Sequence, residues 1–148
     1  MEKLNEIIDF AIEEERKAFE LYSKTAEKVD DKGASEMLKS MADMEKGHEQ
    51  KLKTFKEGKV EKFEAEKVQD LKIGDYLVDV EINENTSVQD VLIFAIKSEK
   101  KSYDLYTDLS KVYVDQDKKE FLLTLADDEL KHKNDLEKYY DDNINREN

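Results

Sequence analysis

Glu45-Lys46-Gly47-His48 and Glu129-Leu130-Lys131-His132 are the two stretches on which the reading of this chain turns. The sequence holds two histidines, and each stands three residues after a glutamate. Residues three apart share a helix face, so each pair can point two metal-ligating groups at one spot. In so acidic a chain one such pair arises easily by chance. The spacing of the two argues against chance: Glu45 to Glu129 and His48 to His132 are both separated by 84 residues.

The same offset extends along the chain. Phe10-Ala11-Ile12 pairs with Phe94-Ala95-Ile96, Glu15 with Glu99, Leu21-Tyr22 with Leu105-Tyr106, Ala42-Asp43 with Ala126-Asp127 and Leu52 with Leu136, with no gap. Each copy carries two helical stripes. In residues 3–29, Leu4, Ile8, Ala11, Glu15, Ala18, Tyr22, Thr25 and Val29 follow alternating steps of four and three, as one buried helix face requires. Asp30, Asp31 and Gly33 mark a turn, and the pattern resumes over 34–57, with Gly58 as the stop. Residues 58–86 lack a sustained period and are too long for a turn between neighbours, so they read as a crossover with a short helix near Glu64–Leu71. Thr86 and Gln89 stand in capping-box register for a third helix, 87–113. Asp115 is placed to cap a fourth, and 142–148 is a polar tail expected to fray. Two copies of a helical hairpin joined by a long connection predict one all-α domain spanning 1–148, an antiparallel four-helix bundle with pseudo-twofold symmetry.

Composition narrows the chemistry. Charged residues make up 43% and the net charge is −13. That argues against nucleic acid and anionic membrane surfaces as partners. Cysteine is absent, which excludes disulfides, iron–sulfur clusters and thiolate zinc sites. No segment has membrane-spanning length, and Met1-Glu2-Lys3-Leu4 lacks the look of a signal peptide, so a cytoplasmic protein is expected. Proline is absent and there are four glycines, which suits long helices.

Six ionisable residues fall where the period calls for apolar ones: Glu15, Glu45, His48, Glu99, Glu129 and His132. Glu13, Glu14 and Glu20 fall off the stripe and read as solvated. A buried unpaired carboxylate costs several kcal/mol, and four in one layer would repel one another. Two divalent cations would balance four negative charges and leave both imidazoles neutral for ligation. Tyr22 and Tyr106 lie two turns beyond Glu15 and Glu99. Core packing accounts for them; bonding of their hydroxyls to carboxylate ligands is the alternative. Asp43 and Asp127 read as helix-surface residues. Nothing in the sequence explains Gly47, which costs a helix about 1 kcal/mol.

The pattern of Glu15, Glu45-x-x-His48, Glu99 and Glu129-x-x-His132, with Tyr22 and Tyr106 seven residues after the single glutamates, resembles the di-iron domain of the rubrerythrins. These belong to the ferritin-like superfamily, and the likeness is to a short form without the rubredoxin part. It covers residues 3–57 and 87–139. The resemblance implies a ferritin-like bundle holding two Fe ions, though Mn or Zn suits the same ligands. Two carboxylates would bridge the metals, and each metal would keep one terminal carboxylate and one histidine. Rubrerythrins often carry a further glutamate one turn beyond the third-helix ligand; here Ser102 stands there, and Ala18 is its twin. A redox-linked ligand exchange through that glutamate is therefore not expected.

The function so implied is reduction of hydrogen peroxide, with electrons from an external electron-transfer protein and with Leu21, Met41, Met44, Leu105 and Leu125 walling off water. A homodimer is expected. Two other readings fit the same residues: iron oxidation and binding without peroxide turnover, and a metal-free structural bundle.

Overall fold

The computed structural model describes residues 2–58 and 62–144. Its elements are α1 (Glu2–Lys28), α2 (Lys32–Glu57), α3 (Ala65–Asp70), a 3-10 turn (Ile73–Tyr76), α4 (Val88–Ser110) and α5 (Gln116–Asn143). Among the described residues there is no strand, only an isolated bridge between Phe63 and Tyr113. None of these helices is long and apolar enough to cross a membrane.

Three residues separate α1 from α2, so the two run antiparallel side by side; α4 and α5 form the second hairpin in the same way. The Asp31 carboxylate caps α2 by accepting from the Gly33 N–H at 3.2 Å. Asp115 caps α5 likewise, accepting from the Asp117 N–H at 2.9 Å. At α4 the expected box on Thr86 does not form. Ser87 is the cap and accepts from the Asp90 N–H at 3.1 Å, because the Thr86 hydroxyl is engaged by the Asn83 N–H at 3.0 Å. α4 also stops at Ser110, short of the expected 113. Beyond it the chain turns to meet the crossover, with Glu64 N–H donating to the Val112 carbonyl at 2.8 Å. At the other end α5 continues to Asn143, so the start of the expected tail is helical, while 145–148 lie outside the described residues, as do Met1 and 59–61.

The crossover is tied down along its length. Val68 and Leu71 are buried against the core. The Tyr76 hydroxyl donates to Asp108 at 2.7 Å, Lys101 to the Asp75 carbonyl at 3.0 Å, and Lys28 to the Glu84 carbonyl at 3.2 Å. These bonds hold the segment after the 3-10 turn across α1 and α4.

The core comes in two parts. One cluster gathers Leu4, Ile7, Ile8, Leu52, Tyr106, Leu109, Leu122 and Leu125. The other gathers Tyr22, Ala26, Leu38, Met41, Leu92 and Leu136. The ionisable stripe residues lie between them, sealed from both ends of the bundle. Gly47 is within α2, and a Cβ there would meet nothing within 4 Å. Gly47→Ala is therefore expected to stabilise the fold by about 0.5–1 kcal/mol, raising Tm by about 1–4 °C in a thermal melt. A fall in Tm would mean that the glycine has a role its surroundings do not show.

Candidate metal centre

Each long helix delivers its part of the site. Glu15 comes from α1, Glu45 and His48 from α2, Glu99 from α4, and Glu129 and His132 from α5. All six are buried, none more than 4% exposed. They form two overlapping sets, Glu15–Glu45–His48–Glu129 and Glu45–Glu99–Glu129–His132, and in each the potential ligand atoms lie within 4.8 Å of one another. Glu45 and Glu129 belong to both sets. The 84-residue offset thus becomes a local twofold, with each hairpin giving three groups to one set and a shared carboxylate to the other.

The tyrosines cross between the hairpins. Tyr22 on α1 donates to Glu99 Oε1 on α4 at 2.5 Å, and Tyr106 on α4 donates to Glu15 Oε1 on α1 at 2.5 Å. Each single glutamate has one oxygen held by a phenol and its other, Oε2, buried without a hydrogen-bond partner among the described residues. Among the described residues Glu45 Oε1, Glu129 Oε2 and His132 Nδ1 are likewise buried and make no hydrogen bond, although Glu45 Oε1 and His132 Nδ1 lie 3.2 Å apart. Leaving one buried acceptor unsatisfied costs about 1–3 kcal/mol, and here several converge on one spot. Ligation by cations would satisfy all of them at once, so the residues present fit a metal pair.

Electrostatics point the same way. Burial first, then the charges of Glu15 and Glu99, pushes the Glu45 carboxyl well above the usual range. Burial again leads for Glu129, followed by Glu15, Glu45 and Glu99. Tyr22 and Tyr106 are also pushed well up, by burial and then by Glu99 and Glu15 respectively, so both remain donors at neutral pH. For His48 burial favours the neutral ring, but Glu15 and Asp128 outweigh it and the net shift is upward. Without cations, then, the layer retains protons that cations would displace.

Asp128 was not evident from the sequence. It sits beside Glu129, and the two hold both ring nitrogens of His48: Glu129 Oε1 lies 2.8 Å from Nδ1 and Asp128 Oδ2 lies 3.0 Å from Nε2. Position 44 is the twin of position 128, and it is Met44. The local twofold fails there. His132 has Glu45 Oε1 at 3.2 Å and Glu99 Oε1 at 3.7 Å from Nδ1, and among the described residues no ion pair engages its Nε2. The available signal was the mismatch itself, an Asp-Glu-x-x-His in one copy against a Met-Glu-x-x-His in the other. Asp43 and Asp127 are exposed, as read from the sequence.

Of the expected apolar walls, Met41, Leu105 and Leu125 are buried. Met44 is 39% exposed and walls nothing, because its side of α2 faces away from the seam with the core. Leu21 instead lines a cavity of about 530 Å3 between α1 and α4, which reaches Tyr22, Glu45 and Glu99 and is roofed by crossover residues Leu77, Val80 and Ile82. The aperiodic crossover therefore covers the site on the side of α1 and α4.

Two antiparallel hairpins joined by a crossover around a buried carboxylate–histidine layer make a ferritin-like fold. Residues 1–56 of this chain match the family model Rubrerythrin, a match that takes in Glu15, Glu45 and His48. The fold is similar to that of a Thermotoga maritima protein described as ferritin-like and diiron-carboxylate. That comparison has a TM-score of 0.73 and 20% identity over 92% of this chain and 93% of the other. It is also similar to a hypothetical protein of Pyrococcus furiosus, with a TM-score of 0.72 and 23% identity over 93% and 88% of the respective chains. At these identities the likeness is one of fold. No curated protein matches the chain significantly.

Proposed function

We propose that this chain holds two iron ions in its central layer and reduces hydrogen peroxide to water. The observation that carries the reading is the pair of overlapping buried ligand sets sharing Glu45 and Glu129. Glu15 and His48 would complete one metal's ligands, Glu99 and His132 the other's, and the shared glutamates would bridge. Two ferrous ions supply the two electrons that peroxide needs, one each. The chain's own share is positional. Tyr106 and Tyr22 fix the rotamers of Glu15 and Glu99, and Asp128 at Nε2 fixes the His48 ring and leaves its Nδ1 to ligate. The apolar clusters above and below exclude bulk water from both bundle ends. Four carboxylates and two divalent ions sum to zero, which lets the layer stay buried.

None of the 148 residues is a cysteine, so electrons would come from an external carrier protein. A homodimer is the assembly proposed, with gel filtration as its check. The test of function is metal analysis on protein purified without oxygen, followed by stopped-flow mixing with peroxide. Two irons per chain, oxidised by peroxide faster than by oxygen, are expected. Iron that oxygen oxidises while peroxide is left unconsumed would move the assignment to iron oxidation. Protein that takes up no metal would leave only a structural bundle.

The failed twofold at position 44 yields a further expectation. Asp128→Ala should weaken one of the two metal equivalents by about 10–100-fold and spare the other, measured by calorimetric titration of metal-free protein. Equal weakening of both, or of neither, would count against Asp128 as the group that orients His48.

A further inference from the structure

We propose that the cavity between α1 and α4 seats the organic part of an alkyl hydroperoxide, making apolar hydroperoxides substrates of the same centre. This rests on the peroxide-reduction reading above and names its substrate class.

The first argument is size. Hydrogen peroxide needs no more room than a water molecule or two, at about 30 Å3 each. The space beside Glu45 and Glu99 is about 530 Å3, within the range of about 300–1,000 Å3 that suits an organic ligand. The second is how the space arises. Small residues, Ala18 on α1 and Ala95, Ser98 and Ser102 on α4, line the seam directly over the ligand layer. Ala18 and Ser102 are twins in the repeat, so both hairpins are hollowed at the same height.

The third argument is polarity. The walls are the twin pairs Phe10 with Phe94 and Leu21 with Leu105, and the roof adds Leu77 and Val80, each about half exposed at 47% and 49%. Charged residues border it, Lys17, Lys24, Lys28 and Lys101 against Glu14, Glu20 and Glu84. Lys17 pairs with Glu14 at 3.5 Å, and the Lys28 and Lys101 ammonium groups are engaged by the Glu84 and Asp75 carbonyls. An uncharged apolar body therefore suits the cavity better than an anionic one. At the floor lie Glu45 and Glu99, each with one buried carboxylate oxygen that makes no hydrogen bond among the described residues, so a ligand filling the cavity places its polar end at the carboxylate layer.

The reaction balances as ROOH + 2 Fe(II) + 2 H+ → ROH + H2O + 2 Fe(III). The O–O bond breaks; one oxygen stays on carbon as the alcohol and the other leaves as water. The two ferrous ions are oxidised, and solvent supplies both protons.

The test uses anaerobic, ferrous-loaded full-length protein mixed in single turnover with hydrogen peroxide or cumene hydroperoxide. A parallel titration of the oxidised protein with 2-phenyl-2-propanol, the alcohol product, reads occupancy without any turnover. Both peroxides should react, and the alcohol should bind. Ser102→Leu, or Ala18→Leu should the first variant fold poorly, should lower the ratio of the cumene hydroperoxide rate to the hydrogen peroxide rate at least tenfold. It should weaken alcohol binding by a similar factor while retaining two metals per chain. Reaction with hydrogen peroxide but not cumene hydroperoxide would overturn the inference and leave the peroxide reading standing. So would absence of alcohol binding, or an unchanged ratio in both variants. Reaction with neither peroxide would overturn both.

Discussion

Glu45→Gln is expected to abolish metal binding at both positions while making the metal-free protein more stable. The two effects have one cause. Glu45 belongs to both ligand sets, so an amide there removes a bridge rather than a single terminal ligand. Binding at either position should weaken by 100-fold or more, and titration should show no occupied equivalent at micromolar metal. Without metal, the same carboxylate is buried beside Glu15 and Glu99 and pushed well above its usual range. Folding at neutral pH must therefore protonate it, and an isosteric neutral side chain removes that cost, worth about 1–3 kcal/mol, which corresponds to several degrees in Tm. His132→Ala should instead spare one equivalent, because His132 belongs to one set only. A Glu45→Gln protein that binds two metals, or whose metal-free form melts lower than wild type, would refute the ligand assignment.

The second large effect is the dependence of stability on pH and metal together. Glu45 and Glu129 have folded values raised above the carboxylate reference of 4.5, and His48 is raised above 6.5. In each case the folded protein binds the proton more tightly than the unfolded chain does. The folded state therefore carries excess protons above the unfolded value, and stability falls as pH rises through the folded one. All three shifts have the same sign, so metal-free protein should lose Tm steadily from about pH 5 to pH 8. Metal reverses the trend, because its binding requires the protons to leave. A divalent ion at 100 times its dissociation constant adds about 2.7 kcal/mol per site. Two sites should raise Tm by about 10 °C or more near pH 8, and by much less near pH 5. A metal increment that does not grow with pH would mean that ions bind elsewhere than in this layer.

The bundle and its central layer were legible because both are periodic. Glu15, Glu45, Glu99 and Glu129 occupy positions where the stripe calls for apolar side chains, and a single offset related them, so burial and convergence followed from spacing alone. Tyr22 and Tyr106 were placed correctly but left open between packing and bonding. Sequence spacing gives a face, whereas the choice depends on the distance across to the other hairpin, 2.5 Å in each case. Asp128 was missed because its partner, His48, lies on a different hairpin 80 residues away, and no stripe on α5 marks it. The α4 start was misread by one residue because Thr86 and Ser87 compete for one cap, and only the turn at Asn83 decides between them. The crossover carries no period, so its position over the α1–α4 seam could come only from tertiary contacts such as Tyr76 with Asp108.

Within each hairpin the helices pack closely along their length, whereas between hairpins the backbone approaches are far fewer. Neither hairpin owns a full set of donors, since each set borrows Glu45 or Glu129 from the opposite half. A captured ion is thus a clasp between two preformed pieces rather than a filling inside one. Its withdrawal should loosen their docking before it unravels any helix, which would make metal supply a determinant of how rigidly the molecule holds together.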